Sequence, residues 1–345
     1  MKILVIQKKR IGDVLISTIL LEALRKKFPE AELHYLIYPN SLAVVENSPF
    51  IDRLIILDSE TKKSILKMIG FLFRLRKEKY NIVVDAYAKP NSVLMGWFSG
   101  AKKTITFDKT YSRIFYSDVV ERRKNTLTNA TMGIEHRMQL LEILDIEFQE
   151  YKPKIFLKEE EINFAKLTLL NNGIDLDIPT IMISAIGSNA LKTYPLLFMA
   201  EILDKIVQNH PVQLLFNYIP NQKNQALELI QLCKPETQKQ IFFDIYENDL
   251  RKFIALTSQC KALIGNEGGS THMAKAIGIP NFIIFAIGVE KIGWSTYENE
   301  TTNVAVHIND YIDASRFNLN ELTEKFTPKM IENKLESFLN FNIKK

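Results

Sequence analysis

Cysteine is scarce in this sequence of 345 residues, which contains only Cys233 and Cys260. Two thiols are too few for a disulfide scaffold and are typical of a protein that stays in a reducing cytosol. Long apolar runs are also absent, because no uncharged stretch reaches the roughly 20 residues that a membrane-spanning helix needs. The N-terminal MKILVIQKKR places its charges after a short apolar run, unlike a secretion signal. We therefore expect a cytoplasmic protein, either soluble or peripheral to a membrane.

There is little net charge as well. The 44 lysines and arginines nearly balance the 40 aspartates and glutamates, which gives a net charge of +4 at pH 7. Such a mild excess does not indicate nucleic-acid binding, so we expect no nucleic-acid partner. The local exception is segment 62–79, where basic residues are interleaved with Ile, Leu and Phe. This segment is either a sheet-covering helix with a solvated face or a contact for anionic lipid.

Short apolar runs alternate with amphipathic stretches along most of the chain. In the first half, strands are predicted at 1–7, 32–38, 54–57, 82–85 and 102–107, and helices at 13–28, 62–79 and 133–143. In the second half, strands are predicted at 180–184, 212–216, 240–243 and 262–264, and helices at 195–208, 221–233, 249–259, 272–277 and 329–341. Such alternation is typical of parallel βαβ units.

The pattern lapses into charged residues near 149–161. We therefore predict an α/β protein with two Rossmann-like, doubly wound domains, 1–155 and 156–325. The remaining segment, 326–345, would carry a helix that packs on either half, including back on the N-terminal domain. Ligands of such sheets bind beyond the carboxyl ends of the strands, so a cleft between the domains is the expected site. The chain lacks the G-x-G-x-x-G fingerprint, which argues against a dehydrogenase.

A turn of small residues joins two apolar runs in GNEGGSTHMAKAIGIP. A helix start offers unpaired N–H groups and the positive end of the helix dipole. Gly268 and Gly269 would let a ligand approach that backbone closely. The pattern favours an anion such as a diphosphate, with further donors at Ser270, Thr271 and His272. The alternative is a tight turn followed by a packed histidine.

Three segments together resemble glycosyltransferase family 9, the heptosyltransferases that build lipopolysaccharide cores. They are ILVIQKKRIGDVLIST, IMISAIGSNALKTYP and GNEGGSTHMAKAIGIP. They occur in the family's order, and the stretch from the first to the last of them covers most of the chain. The resemblance implies the GT-B architecture, with two Rossmann-like domains facing a central cleft. It also implies inverting transfer of a sugar from a nucleotide-diphosphate donor. The sequence departs from the family's pattern at Glu267, where aspartate is usual, and at Gln222, where a carboxylate often holds the ribose.

Sugar transfer needs a base for the acceptor hydroxyl and a stabilised leaving diphosphate. Asp13 follows the first strand at a helix start, where it is either an N-cap or, as the resemblance implies, the general base. By the same resemblance, Lys192 would stabilise the leaving diphosphate together with the glycine-rich turn. Ser188 and Asn189 would donate hydrogen bonds to the donor, and Glu267 would hold one of its hydroxyls.

Basic residues in two other loops are candidates for the acceptor. Lys8 and Arg10 border Asp13, and Lys89 follows the strand that ends at Asp85. Such cations suit carboxylates or phosphates on a glycan. The resemblance implies a nucleotide-sugar donor, of which ADP-heptose is one candidate, and a lipid-linked glycan acceptor. Peripheral contact with the cytoplasmic face of the inner membrane would bring the enzyme to that acceptor.

We expect neither a metal nor a cofactor beyond the nucleotide-sugar substrate. The pair Asp175 and Asp177 matches an Asp-x-Asp metal motif, but it precedes a strand instead of following one, and the five histidines lack a metal-ligand spacing. Lys192 and a helix N-terminus would replace the cation. Two other functions stay open, a non-catalytic nucleotide-sugar-binding protein and a nucleotide-sugar epimerase of related fold.

Overall fold

The computed structural model describes residues 1–343, and its contacts divide the chain into two compact units, Met1–Phe156 and Leu157–Lys345. Each unit holds a six-stranded sheet of parallel strands. Parallel strands are buried on both faces, which explains apolar runs such as KILVI and NFIIF. The predicted fold class, α/β with two doubly wound Rossmann-like sheets, is confirmed.

The first sheet is built around its N-terminal strand. Its strands are β1 (Lys2–Ile6), β2 (Glu32–Ile37), β3 (Arg53–Ile56), β4 (Ile82–Asp85), β5 (Lys103–Phe107) and β6 (Asp118–Val120). Their order is β3-β2-β1-β4-β5-β6, and Ile3 pairs with Leu33 on one side and with Ile82 on the other. The order reverses between β1 and β4, which places the topological switch point at their carboxyl ends.

Seven α-helices lie between these strands or after the last of them in the described residues of the first unit. They are α1 (Ile11–Ile16), α2 (Thr18–Lys27), α3 (Ser59–Lys63), α4 (Ile65–Lys77), α5 (Pro90–Phe98), α6 (Ser112–Phe115) and α7 (Thr131–Glu142). The single helix predicted from residue 13 begins at Ile11 and is divided at Ser17. The Ser17 hydroxyl donates to the carbonyl of Asp13 at 2.8 Å, a back-bond that commonly bends helices.

The second sheet repeats the same strand arrangement. Its strands are β7 (Thr180–Ser184), β8 (Gln213–Phe216), β9 (Ile241–Phe242), β10 (Ala262–Asn266), β11 (Asn281–Phe285) and β12 (Asn303–His307). Their order is β12-β11-β10-β7-β8-β9, so the switch point lies between β7 and β10.

The helices of the second unit cover both faces of this sheet. They are α8 (Glu159–Asn171), α9 (Leu196–Asn209), α10 (Lys223–Leu232), α11 (Pro235–Gln238), α12 (Leu250–Thr257), α13 (Gly269–Ala276), α14 (Leu319–Lys325) and α15 (Pro328–Asn342). The sequence left open which half receives the final helix. In the structure Ile331, Leu335 and Phe338 of α15 are buried in the same apolar cluster as Phe282 of β11, so α15 belongs to the core of the second unit. Within residues 1–343, none of the helices has both the length and the apolar character that crossing a bilayer requires.

Candidate active site

Asp13 lies in the first turn of α1, directly beyond the carboxyl end of β1 and therefore at the switch point of the first sheet. The N-cap position belongs to Arg10, which has a positive φ of 63° and makes no side-chain cap. The carboxylate of Asp13 does not cap the helix. It accepts a hydrogen bond from Nη2 of Arg137 at 2.7 Å instead. The N-cap explanation of Asp13 is therefore wrong, and its side chain is oriented by another element.

Arg137 of α7 holds Asp13 through a nearly buried guanidinium, with only 11% of its side chain exposed. Its Nε donates to the Ser17 hydroxyl at 2.7 Å, and Nη1 donates to the carbonyl of Gly133. The guanidinium is thus fixed from three sides, and a fixed fork imposes one orientation on the carboxylate that it meets. Arg137 was not among the residues predicted from the sequence. The feature of the sequence that could have identified Arg137 is its position on the apolar side of a helix, near Ile134 and Met138, which are buried.

Arg137→Met should lower turnover about tenfold or more while leaving the affinity for the nucleotide unchanged. The physical reason is that Asp13 would lose the group that orients its carboxylate. Arg137→Lys should recover only part of the loss, because an ammonium lacks the planar fork. Steady-state kinetics would show a fall in kcat with little change in KM for the donor. A change in nucleotide affinity as large as the change in kcat would argue for a general structural role.

Lys8 departs from the exposed basic loop that the sequence led us to expect. Its side chain is fully buried, and Nζ donates to Oδ1 of Asn91 at 3.1 Å. Burial lowers the pKa of Lys8 to about 8, and burial raises the pKa of the neighbouring Asp85 to about 6. The lysine stem fills the space between β1 and α5, where Met95 lies 3.5 Å from Nζ. Because this ammonium does not reach the surface, we do not assign Lys8 to acceptor binding.

Replacing Lys8 with methionine should reduce the increase in the free energy of unfolding that the wild type shows as the pH rises above 8. The folded lysine titrates near 8 and the unfolded lysine near 10.5, so the folded state binds fewer protons between these values. Below pH 8 the folded protein carries the full cost of a buried charge. As the pH rises from 8 to 10.5 that cost is relieved, and the free energy of unfolding increases by at most about 3 kcal/mol. Urea unfolding between pH 8 and 10 would measure the slope for both proteins. Equal slopes would contradict the burial of Lys8.

The other predicted acceptor residues lie in exposed loops. Arg10 is exposed between β1 and α1, and Lys89 is exposed at the start of α5, where the Ser92 hydroxyl bonds its backbone. Arg122, which the sequence analysis did not identify, stacks on the ring of Phe107 at 3.9 Å. Burial lowers the pKa of Arg122, Arg137 lowers it further, and Asp13 opposes both effects. Arg122 therefore adds a second cation to the surroundings of Asp13.

The loop after β7 carries Lys192 at the switch point of the second sheet. A short 3-10 turn, Ala190–Lys192, folds back toward the strand end. A Cβ at Gly187 would collide with the carbonyl of Lys192, so glycine is required for this close approach. Ser188 and Asn189 are exposed, and Lys192 is partly exposed. In the part of the chain that the structure describes, Lys192 has no carboxylate within ion-pair distance.

Neighbouring loops hold the Lys192 turn in place. The amide of Gln222 donates from Nε2 to the carbonyl of Gly187 at 2.9 Å and accepts from the N–H of Ile219 at 3.1 Å. Gln222 therefore links the loop after β8 to the loop after β7. From β10, Asn266 accepts from the backbone of Tyr194 at 2.8 Å and donates to the carbonyl of Ala185. These amides give the strand-end loops a fixed relation to one another.

The glycine-rich turn opens directly into α13. Gly268 precedes the helix and Gly269 begins it. A Cβ built at either glycine would meet no atom within 4 Å among residues 1–343. The space above these glycines is therefore open. The first N–H groups of a helix lack intrahelical partners, and they carry the positive end of its dipole. An anion placed there would meet backbone donors with no side chain in the way.

The three polar side chains of this turn have different surroundings. Ser270 is buried, and its hydroxyl lies 2.7 Å from that of Ser184. Thr271 is fully buried and donates to the carbonyl of Gly268 at 2.7 Å. These two hydroxyls stabilise the turn, and the binding of the donor by Ser270 and Thr271 stays a prediction. His272 is nearly buried, and its ring meets Trp294 at 5.8 Å between centroids.

Glu267 and His272 form an acidic–basic pair beside the turn. Nε2 of His272 lies 3.4 Å from Oε1 of Glu267, and it makes no hydrogen bond to any atom of the described residues. Lys275, one turn further along α13, donates to the carbonyl of Thr296 at 3.0 Å. Burial lowers the pKa of Lys275 to about 8, with Glu298 and Glu267 opposing that shift. Lys275 was not among the residues predicted from the sequence. The feature that could have identified it is its position on the small-residue face of a predicted helix.

Asp175 and Asp177 lie at the opposite end of the second sheet from this site. They occupy the exposed loop that leads into β7, where the Asp175 carboxylate accepts from the Asp177 backbone at 2.9 Å. Residues 1–343 contain no group of three His, Cys, Asp or Glu side chains spaced to hold a metal ion. The metal-independent reaction expected from the sequence stays a prediction.

Several known proteins that are similar to this chain are named as heptosyltransferases or as members of glycosyltransferase family 9. The model of glycosyltransferase family 9 (heptosyltransferase) matches residues 69–323. Lipopolysaccharide heptosyltransferase 1 of Campylobacter coli is 24% identical over 347 residues, which cover 96% of this chain and 98% of that protein. A family 9 glycosyl transferase from Veillonella parvula DSM 2008 has a TM-score of 0.83 at 19% identity, over 98% of this chain and 97% of that one. The ADP-heptose lipopolysaccharide heptosyltransferase II of E. coli has a TM-score of 0.76 at 17% identity, over 99% of both chains.

The solved structures confirm the GT-B fold class that the sequence resemblance implied. The matched family segment includes the Lys192 turn, and it also includes the glycine-rich turn with α13. Since the family model spans most of the chain, the protein belongs to glycosyltransferase family 9, the heptosyltransferases, and is a glycosyltransferase.

Proposed function

We propose that the protein transfers a heptose from ADP-heptose to a lipopolysaccharide-core acceptor, with inversion at the anomeric carbon. Family membership supports the sugar-transfer reaction. The donor and the acceptor come from relatives, one named a lipopolysaccharide heptosyltransferase and the other an ADP-heptose heptosyltransferase. Inversion comes from the family resemblance. The observation that supports the proposal within this chain is the open space over Gly268 and Gly269 at the start of α13, with Lys192 in the loop after the neighbouring strand β7.

The second unit would hold the donor. Its diphosphate would lie over Gly268 and Gly269, where the N-terminus of α13 supplies backbone donors and a positive dipole end. Lys192 would meet the same diphosphate as a cation whose charge is not already paired. Negative charge on the diphosphate grows as the glycosidic bond breaks, so both groups stabilise the transition state more than the ground state. Ser188 and Asn189 would bind the donor from the same loop, and Glu267 would hold a donor hydroxyl.

The first unit would activate the acceptor. Asp13 would take the proton from the acceptor hydroxyl as that oxygen attacks the anomeric carbon. Arg137 would act as a positioning residue, because it orients the Asp13 carboxylate and need not touch either substrate. Arg10 and Lys89 would contact anionic groups of the acceptor, together with Arg122.

We also propose that the reaction needs no metal ion, since Lys192 and the α13 dipole supply the positive charge at the diphosphate. Turnover should then be unchanged after chelation with EDTA and dialysis. An activity that is lost on chelation and restored by a divalent cation would overturn this part of the proposal.

The donor assignment is tested by comparing nucleotides and by following a labelled sugar. ADP and ADP-heptose should raise the melting temperature of the protein more than UDP or GDP at equal concentration, because only a ligand of the folded state stabilises it. Incubation of labelled ADP-heptose with a heptose-free lipopolysaccharide core should move the label to the lipid fraction. If another nucleotide diphosphate raised the melting temperature more than ADP, the donor would be a sugar of that nucleotide instead. Label that stays on the nucleotide, or that is only isomerised, would overturn the transfer reaction.

A further inference from the structure

An exposed apolar surface runs along the outer side of three helices in the first unit. It comprises Leu66, Ile69 and Phe73 of α4, Trp97 of α5 and Phe115 of α6, and we call it the aromatic face. Leu66 is 82% exposed, Phe73 53% and Trp97 49%. Contiguous exposed apolar surface of this kind marks an interaction site in a water-soluble unit.

The aromatic face is continuous from helix to helix. Leu66 and Phe73 are seven residues apart and so lie on one stripe of α4. The ring of Phe73 meets that of Phe98 at 5.4 Å, Phe98 meets Trp97 at 6.4 Å, and Trp97 meets Phe115 at 5.5 Å. Four rings therefore connect α4 to α6 through α5.

The inner sides of α4 and α5 explain why this surface lies outward. Phe71, Leu72 and Leu75 of α4 are buried in one cluster with Met95 of α5 and Val83 of β4. The sheet is thus already covered by other apolar residues of the same helices. The residues of the aromatic face are not needed to cover the sheet. We therefore expect that this exposed apolar surface binds a partner.

Charge selects the kind of partner. Segment 59–79 has Glu60 and Glu78 as its only acidic residues, against seven basic ones: Lys62, Lys63, Lys67, Arg74, Arg76, Lys77 and Lys79. Both glutamates are already engaged, Glu60 with Lys67 and Glu78 with Lys2 and Arg53. Among the described residues, Lys63, Arg74 and Lys77 have no carboxylate at ion-pair distance. Unpaired basic residues in the segment that carries the exposed Leu66, Ile69 and Phe73 match the anionic headgroups and acyl boundary of a phospholipid bilayer.

We propose that the aromatic face docks the first unit on an anionic phospholipid bilayer, with Phe73 and Trp97 entering the interfacial region. This inference goes beyond the proposed reaction and does not depend on it. The apolar side chains would leave water, while the basic residues around them would neutralise headgroup charge. Binding should therefore require anionic lipid and should weaken with salt.

Vesicle flotation tests the docking with a matched pair of variants. The wild type should float with vesicles of phosphatidylglycerol and phosphatidylcholine, and it should float poorly with phosphatidylcholine alone or at high salt. Leu66→Ser/Phe73→Ser should reduce the partition coefficient at least about tenfold. The control Leu167→Ser/Leu170→Ser removes two similarly exposed leucines from α8 of the second unit and should behave as wild type.

Tryptophan fluorescence adds a readout of depth. Vesicles with brominated acyl chains should quench the emission of the wild type, and Trp97→Phe, which leaves only Trp294, should lose that quenching. The proposal is overturned if the wild type does not float, if the aromatic-face variant floats as well as the wild type, or if Trp97 is not quenched. It is also overturned if that variant instead breaks up a dimer of the protein, since the face would then bind a second copy.

Discussion

Asp13→Asn should abolish most of the turnover, by about 10² to 10⁴-fold, while ADP binds with wild-type affinity. The amide can still accept the hydrogen bond from Arg137, so the side chain keeps its position. It cannot take a proton from the acceptor hydroxyl. Single-turnover transfer at saturating donor measures the chemical step, and isothermal titration with ADP measures the binding.

The matched control is Asp145→Asn, on an exposed aspartate of the same unit. Asp145 has a positive φ of 53°, a conformation that asparagine tolerates well. This variant should transfer sugar at the wild-type rate. A rate for Asp13→Asn within a few-fold of that control would remove Asp13 from the mechanism.

Lys192→Met should reduce turnover by about 10² to 10³-fold and should also weaken ADP binding. Methionine is similar in length but carries no charge, so the diphosphate would lose a cation both in the bound donor and in the transition state. The loss of affinity should be smaller than the loss of rate, because negative charge on the diphosphate grows during the reaction. A loss of both rate and ADP affinity distinguishes the role of Lys192 from that of Asp13, because replacing Asp13 should change the rate alone.

Lys166→Met serves as the control for Lys192. Lys166 is an exposed lysine on α8, away from the ends of the strands. Its replacement should change neither affinity nor rate. Wild-type ADP affinity in Lys192→Met would show that the lysine does not contact the diphosphate.

Much of the fold follows from sequence periodicity. The strand predicted at 82–85 is observed at Ile82–Asp85, and that predicted at 180–184 at Thr180–Ser184. Such strands are buried on both faces, so their apolar runs are unbroken. Helix α5, whose nine residues include Pro90 and Gly96, was not predicted, and neither was α8, which buries only Ala165 and Leu169. A helix that buries so few apolar residues has no strong apolar stripe in its sequence.

The position of the candidate residues beyond the ends of strands was predictable for a topological reason. Alternating strands and helices bring strand ends together, so residues such as Asp13 and Lys192 are recognisable once the strands are placed. Pairings across the sequence were not predictable in the same way. Asp13 and Arg137 are separated by 124 positions, and nothing local to either residue indicates the other. The burial of Lys8 depends likewise on α5, a helix that the sequence analysis did not predict.

A crystal structure with a donor analogue that cannot release its sugar, together with the acceptor, tests the central claim most directly. We expect the diphosphate oxygens within about 3 Å of Lys192 Nζ and of the backbone N–H groups at the start of α13. We expect the acceptor hydroxyl within about 3 Å of a carboxylate oxygen of Asp13, on the side of the anomeric carbon opposite the diphosphate. A diphosphate bound away from α13, or an acceptor hydroxyl that meets a different base, would contradict the account.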